Sequence, residues 1–255
     1  MTSARRILLP AAIVALLLGA WELYVDLGGA DPLLLPSPHA VASALYNDRG
    51  ALWSNFTVTA KEIVLGIAVA VVSGFVLSVA IHLSATLRRA LLPLLVASQA
   101  VPVVIIAPLF LLWLGFGILP KLLVIGLVAF FPVVITTLAA METVDPELLK
   151  LMRTFDASRR QTLGRVELPA ALPGLFTGAK LAAVFTPIAA VLAEQAGSTS
   201  GLGYLLTVTE SQLLAPEAFA AVTVLSGFAI VLFIVLSVAE RRALPWAYQA
   251  KGESA

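Results

Sequence analysis

The sequence predicts an all-α membrane protein, a bundle of six crossing helices, and three observations predict it. Of its 255 residues, 60% are hydrophobic and only 12% are charged, about half the charged share of an ordinary soluble domain. Mean hydropathy is +1.00. The apolar residues gather into continuous runs near 18 residues or longer, which suits a lipid core and not the short alternating strands of a barrel.

The runs lie at about 7–25, 61–84, 90–115, 119–141, 172–195 and 217–239. Each can cross a core of roughly 30 Å at 1.5 Å per residue. The first follows Arg5-Arg6. It is long for a cleaved leader, and no small-x-small cleavage site precedes Glu22 and Asp26, so a retained helix is expected. After it, Pro32, Pro36 and Pro38 impose extended backbone. From His39 onward, Val41, Ala44, Leu45 and Leu52 predict a short helix lying in the interface, with Tyr46 and Trp53 at that depth. In the third run Ser98 and Gln99 precede Pro102 and Pro108, and two prolines predict a bend.

Basic residues sort by loop. Arg5 and Arg6, then Arg88 and Arg89, then Lys150, Arg153, Arg159, Arg160 and Arg165, then Arg241, Arg242 and Lys251 occupy one side. The other carries Arg49, Lys61 and Lys121. This asymmetry predicts both termini and the 145–169 loop on the cytoplasmic side.

Several function classes fall away. A net charge of +1 offers no field for nucleic acid. With no cysteine there is no disulfide and no thiolate metal site. His39 and His82 have no Asp or Glu at ligand spacing, which argues against an intramembrane metalloenzyme; no cofactor or metal is expected. No internal repeat or mid-span acidic residue supports an ion-coupled secondary transporter, the rival class. No glycine loop ending in GK[ST] is present, so the chain cannot hydrolyse ATP by that route.

Asp145–Gly178 is the distinctive segment. Asp145 caps, Pro146 suits the first turn and Glu147 complements the positive helix end. Leu148, Leu151, Met152 and Phe155 then form one stripe, with Lys150 and Arg153 off it. Asp156 is expected to end this helix and cap the next. The second helix carries Arg159, Arg160 and Arg165, and Leu168-Pro169 is expected to stop it. At roughly 15 Å each, neither crosses a membrane. On physical grounds the pair either lies on anionic lipid or inserts its stripe into a partner's groove.

Val166-Glu167-Leu168-Pro169 resembles the end of the cytoplasmic-loop signature of binding-protein-dependent ABC importer permeases. Counting back puts Asp156 at that signature's glycine and Lys150-Leu151-Met152 at its Glu-Ala-Ala. LLLPSP (33–38), VPVVIIAPLFLLWLGFGILPK (101–121), FFPVVITTLAAMETVDPELL (130–149) and AEQAGSTSGLGYLL (193–206) resemble the nitrate/sulfonate/taurine group, most of all its members for thiamine pyrimidine precursors or riboflavin.

The resemblance implies a type I importer permease in a bacterial inner membrane, one permease domain over 1–255. It implies a cytoplasmic ABC ATPase dimer, an extracytoplasmic solute-binding protein and a second permease copy as partners. Glu147, Leu148, Lys150, Leu151, Met152, Phe155, Asp156, Ala157, Ser158, Arg159, Leu168 and Pro169 would couple to the ATPase. Gln99, Pro102, Lys180, Glu194, Gln195, Gly201, Gly203 and Tyr204 are the candidates for the solute pathway or outer gate. The expected solute is a thiamine pyrimidine precursor or related vitamin, with a sulfonate, taurine or nitrate as the alternative.

Overall fold

A computed structural model describes residues 3–247; among them every regular element is a helix. Helix α1 (Ser3–Asp26) precedes the short α2 (Pro38–Asn47). Then come α3 (Arg49–Leu83), α4 (Ala85–Ser98), α5 (Val103–Leu114) and α6 (Ile118–Glu142). The basic loop holds α7 (Pro146–Thr154) and α8 (Arg159–Thr162). Helices α9 (Leu168–Gln195), α10 (Leu202–Ser211) and α11 (Ala215–Ala243) complete the bundle. Lys251, the last basic residue counted above, lies outside the described residues.

Five of these helices are long and apolar enough to cross a membrane: Leu8–Asp26, α3, α6, the run Arg159–Gln195 and α11. The sixth crossing exists only as the pair α4 and α5, bent by 100° at residues 99–102. The expected continuous span at 90–115 is therefore a broken one. Pro102 starts α5 and has no N–H to continue the ladder of α4.

Helices α3, α6 and α9 make the centre, with Ile63, Val124, Ile125, Ala129, Ala182 and Ala183 fully buried between them. Helix α9 approaches α6 through Gly174 and Gly178, one turn apart. A β-carbon at Gly178 would run into the Thr136 side chain and the Val133 backbone, so small residues here set the helix spacing. Outward-facing positions of α1, α3, α5 and α11 are large and apolar, including Leu17, Val72, Leu112 and Val231. That is the surface expected against lipid tails.

Two expected boundaries are corrected. Helix α3 begins at Arg49, twelve residues before the predicted span at 61, and takes in Leu52. Ser54, Asn55, Thr57 and Lys61 lower the hydropathy there, but helical hydrogen bonding does not require apolar side chains. The short helix ends at Asn47, and Val41 and Ala44 are buried against the core instead of facing lipid. Tyr46 and Trp53 stay exposed.

The second correction concerns Leu168-Pro169, which do not stop a helix. The chain winds from Arg159 to Gln195 without a break, through a π turn at Leu163–Glu167. The Leu168 N–H donates to Leu163 O, five residues back. This wider winding absorbs the hydrogen bond that Pro169 cannot make. Pro173 likewise lies inside α9.

Tertiary contact also brings a carboxylate to each histidine, hydrogen-bonded at His39 and at 3.2 Å without hydrogen-bond geometry at His82, which their sequence spacing does not announce. His39 Nδ1 bonds Glu22, and its backbone N–H donates to Glu22 Oε2 at 3.0 Å. Asp26 stands close by, its carboxylate within 4.8 Å of the other two. The Glu22 carboxylate raises the His39 pKa above 6.5 by hydrogen bonding and by charge. A raised value means this tie between α1 and α2 is complete below pH 6.5 and is lost as pH rises through the folded value. Hydrogen exchange over residues 19–26, corrected for intrinsic rates, is expected to speed up across that rise. His39→Ala should abolish the dependence; an unchanged pH profile in that variant counts against the tie.

Candidate functional site

The bundle has two polar ends. The basic end holds the 145–167 loop, Arg88 and Arg241; the far end holds Lys61, Lys121 and the 196–201 turn.

At the basic end, the Asp145 carboxylate accepts from Glu147 N–H at 2.8 Å and starts α7 as expected. The stripe is laid open: Leu148 is 41% exposed, Leu151 50% and Phe155 74%. Met152 is half-buried, and Leu149 turns inward to line a cavity. Three large apolar side chains in a row on an amphipathic helix thus stand open at the surface. Glu147, Lys150, Arg153 and Arg159 surround them, all exposed.

Asp156 adopts φ +52°. This left-handed conformation is open to Asp at modest cost and free to Gly, so the position aligned with the signature's glycine keeps its turn. Asp156 does not cap the next helix. Ser158 does: its Oγ accepts from Gln161 N–H at 3.3 Å, while Gln161 Oε1 accepts from Ser158 N–H at 2.8 Å. With Asp156 left-handed and Ala157 beyond it, the chain reverses before α8 and places the cap two residues later. Leu168 and Pro169 sit half-buried where the helix enters the bundle, at the root of the loop and not on its open face.

That root contains a residue the sequence did not single out. Glu167 is buried, 4% exposed at its side chain. It accepts from Arg159 Nη1 at 2.6 and 2.5 Å through its two oxygens. Its Oε2 lies 3.2 Å from His82 Nε2, at the end of α3. A cavity of about 400 Å³ opens beside them, lined by His82, Leu149, Arg153, Ala157, Arg159 and Thr162. Arg88 also bonds Glu142 at 2.8 Å, joining α4 to α6 where the loop begins.

On an open face of the bundle, between its two polar ends, a groove of about 460 Å³ runs along α5, α6 and α9. Gln99, Val103, Phe131, Pro132, Phe185 and Ile188 line it. Gln99 is the polar side chain among these, placed at the 100° bend. Pro102 forms that bend. Lys180 does not reach the groove: its Nζ bonds Glu240 of α11 at 2.8 Å.

At the far end, Glu194 is not a solvated helix end. It is 1% exposed. Thr59 Oγ1 donates to Oε1 at 2.7 Å, and Gly203 N–H donates to Oε2 at 2.5 Å. Leu202 N–H donates to Thr59 Oγ1 and Gly201 N–H to Asn55 Oδ1, both at 2.8 Å. One carboxylate thus pins the start of α10 to α3 through hydrogen bonds to Thr59 and Gly203. Gly201 has φ +112°, and a β-carbon there would overlap the Glu194 carboxylate. Tyr204 is half-buried, and Gln195 is exposed. Beside Glu194, Lys121 bonds Glu62 at 2.7 Å, both buried. Asn55, Thr59 and Glu62 follow one another at i, i+4 and i+7, a polar stripe on α3 that could have revealed this cluster.

The family model described as "Binding-protein-dependent transport system inner membrane component" matches residues 62–245. A probable ABC transporter permease protein of Haemophilus influenzae is 36% identical over 89% of this chain and 93% of its own length. The formylaminopyrimidine transport permease of Halalkalibacterium halodurans is 32% identical over 93% of this chain and 95% of its own. A crystal structure of an amino acid ABC transporter with histidines shares the fold, with a TM-score of 0.61, 15% identity, and coverage of 78% of this chain and 96% of that one. The chain belongs to the binding-protein-dependent inner membrane component family: it is a multi-pass permease subunit of an ABC importer, which works with a solute-binding protein and leaves ATP hydrolysis to a separate subunit.

Proposed function

We propose that this permease carries a small, uncharged heteroaromatic solute of the formylaminopyrimidine kind. The carrying observation is the groove along α5, α6 and α9: two aromatic rings, Phe131 and Phe185, one amide, Gln99, and no charged side chain among the described residues that line it. Rings stack flat heterocycles, and an amide gives them a donor and an acceptor. An oxyanion stripped of water there would meet no cation, at a cost of several kcal/mol. The 32% identity to a formylaminopyrimidine permease supports the same reading.

The whole chain acts as one permease domain, and two copies face each other across this groove to enclose the pathway. The basic end faces the cytoplasm with both termini. There α7 seats its Leu148, Leu151 and Phe155 stripe in a groove of the ATPase. ATP-driven closure draws the two loops together and opens the pathway outward; hydrolysis resets it. This is a two-state bundle biased by its partner.

The test is uptake into proteoliposomes holding the permease, its ATPase and its solute-binding protein. ATP-dependent uptake of formylaminopyrimidine, unaffected by excess taurine, is the expected result. Uptake of taurine in place of the pyrimidine would overturn the assignment and support the sulfonate alternative.

A further inference from the structure

Helix α7 is tied to the rest of the chain by backbone at both ends, but α3, a central helix, is separated from the loop along the chain by α4, α5 and α6. Glu167 supplies the bridge. It sits at the end of the π turn, holds Arg159 of α8 by two short hydrogen bonds, and faces His82 at the last turn of α3. Its burial matters. A carboxylate 4% exposed cannot trade Arg159 for water without leaving a charge stranded, and His82 Nε2, buried and without a hydrogen-bond partner, sits 3.2 Å from it. The surrounding backbone departs from regular α winding: a π turn is a rare widening of a helix, frequent at functional sites.

We infer that Glu167 is a positioning residue that transmits movement of the basic loop to α3, through Arg159 on one side and His82 on the other. The inference rests on the reading that the loop docks on the ATPase. When the loop is displaced, Arg159 moves with α8, Glu167 follows, and His82 carries the end of α3. Without the carboxylate, α8 can swing at the π turn while α3 stays behind. ATP is then consumed without rearranging the bundle.

The chain has no cysteine, so Gln99→Cys places one thiol in the groove, and a maleimide dye can be followed on the permease band of the purified complex. In this background, labelling rates with and without vanadate-trapped nucleotide are expected to differ at least fivefold. Adding Glu167→Gln should reduce that ratio below twofold, with ATPase co-purification and trapped nucleotide unchanged. His82→Leu, which keeps the Arg159 contact, should reduce the ratio by a smaller factor and serves if Glu167→Gln fails to fold. A fivefold ratio retained in the variants, with the ATPase still bound, overturns the inference alone. A ratio near one in the Gln99→Cys parent overturns the reading of the groove and loop on which it rests.

Discussion

Leu151→Asp or Phe155→Asp is expected to strip the ATPase from the purified permease while leaving the permease itself in the membrane. Both side chains are exposed, so neither substitution opens a cavity in the bundle. In the complex each would be buried. Losing a buried large apolar side chain costs about 1.5–3 kcal/mol, and an unpaired carboxylate in its place adds several more. A total above about 4 kcal/mol corresponds to a loss of affinity of roughly a thousandfold or more. The measurement is the ATPase-to-permease ratio after affinity purification. Lys61→Ala, exposed at the far end of the bundle, should leave that ratio unchanged. Retention of the ATPase at full yield in both Asp variants would exclude α7 as the docking element.

The second large effect is expected at the far end. Glu194→Ala should loosen the 196–203 turn and destabilise the bundle by about 2–5 kcal/mol, from a lost buried hydrogen-bond acceptor and the void left behind. The Thr59 hydroxyl can turn to the Asn55 carbonyl, 3.3 Å away. Gly203 N–H loses the acceptor that anchors α10. Thermal unfolding in detergent should fall by roughly 5–15 °C. Glu194→Gln, which keeps one acceptor, should lose less. An unchanged midpoint for Glu194→Ala would show that the carboxylate does not anchor the turn.

The membrane class, the approximate spans and the basic loop were all legible because each rests on local signals. Long apolar runs report burial in lipid, and the charges that interrupt them mark the loop ends. The Asp145-Pro146-Glu147 start and the Leu148–Phe155 stripe depend only on helix geometry, and α7 forms as read. Even the Asp156 turn was accessible, because its conformation depends on one residue's backbone freedom.

Pairings between distant residues were not legible in this way. Glu194 stood among the outer-gate candidates, but its burial was not readable, since sequence does not tell which side of a helix terminus faces water. Its partner Thr59 lies 135 positions away. Lys180 stood among the pathway candidates, and its pairing with Glu240 of α11 was not readable; nor was the approach of His82 on α3 to Glu167. By itself the sequence determined the lipid-facing helices and the basic amphipathic loop, because hydropathy and helical period are properties of neighbouring residues. The tertiary structure alone decided which buried charges meet, because that depends on how helices far apart in the chain pack together.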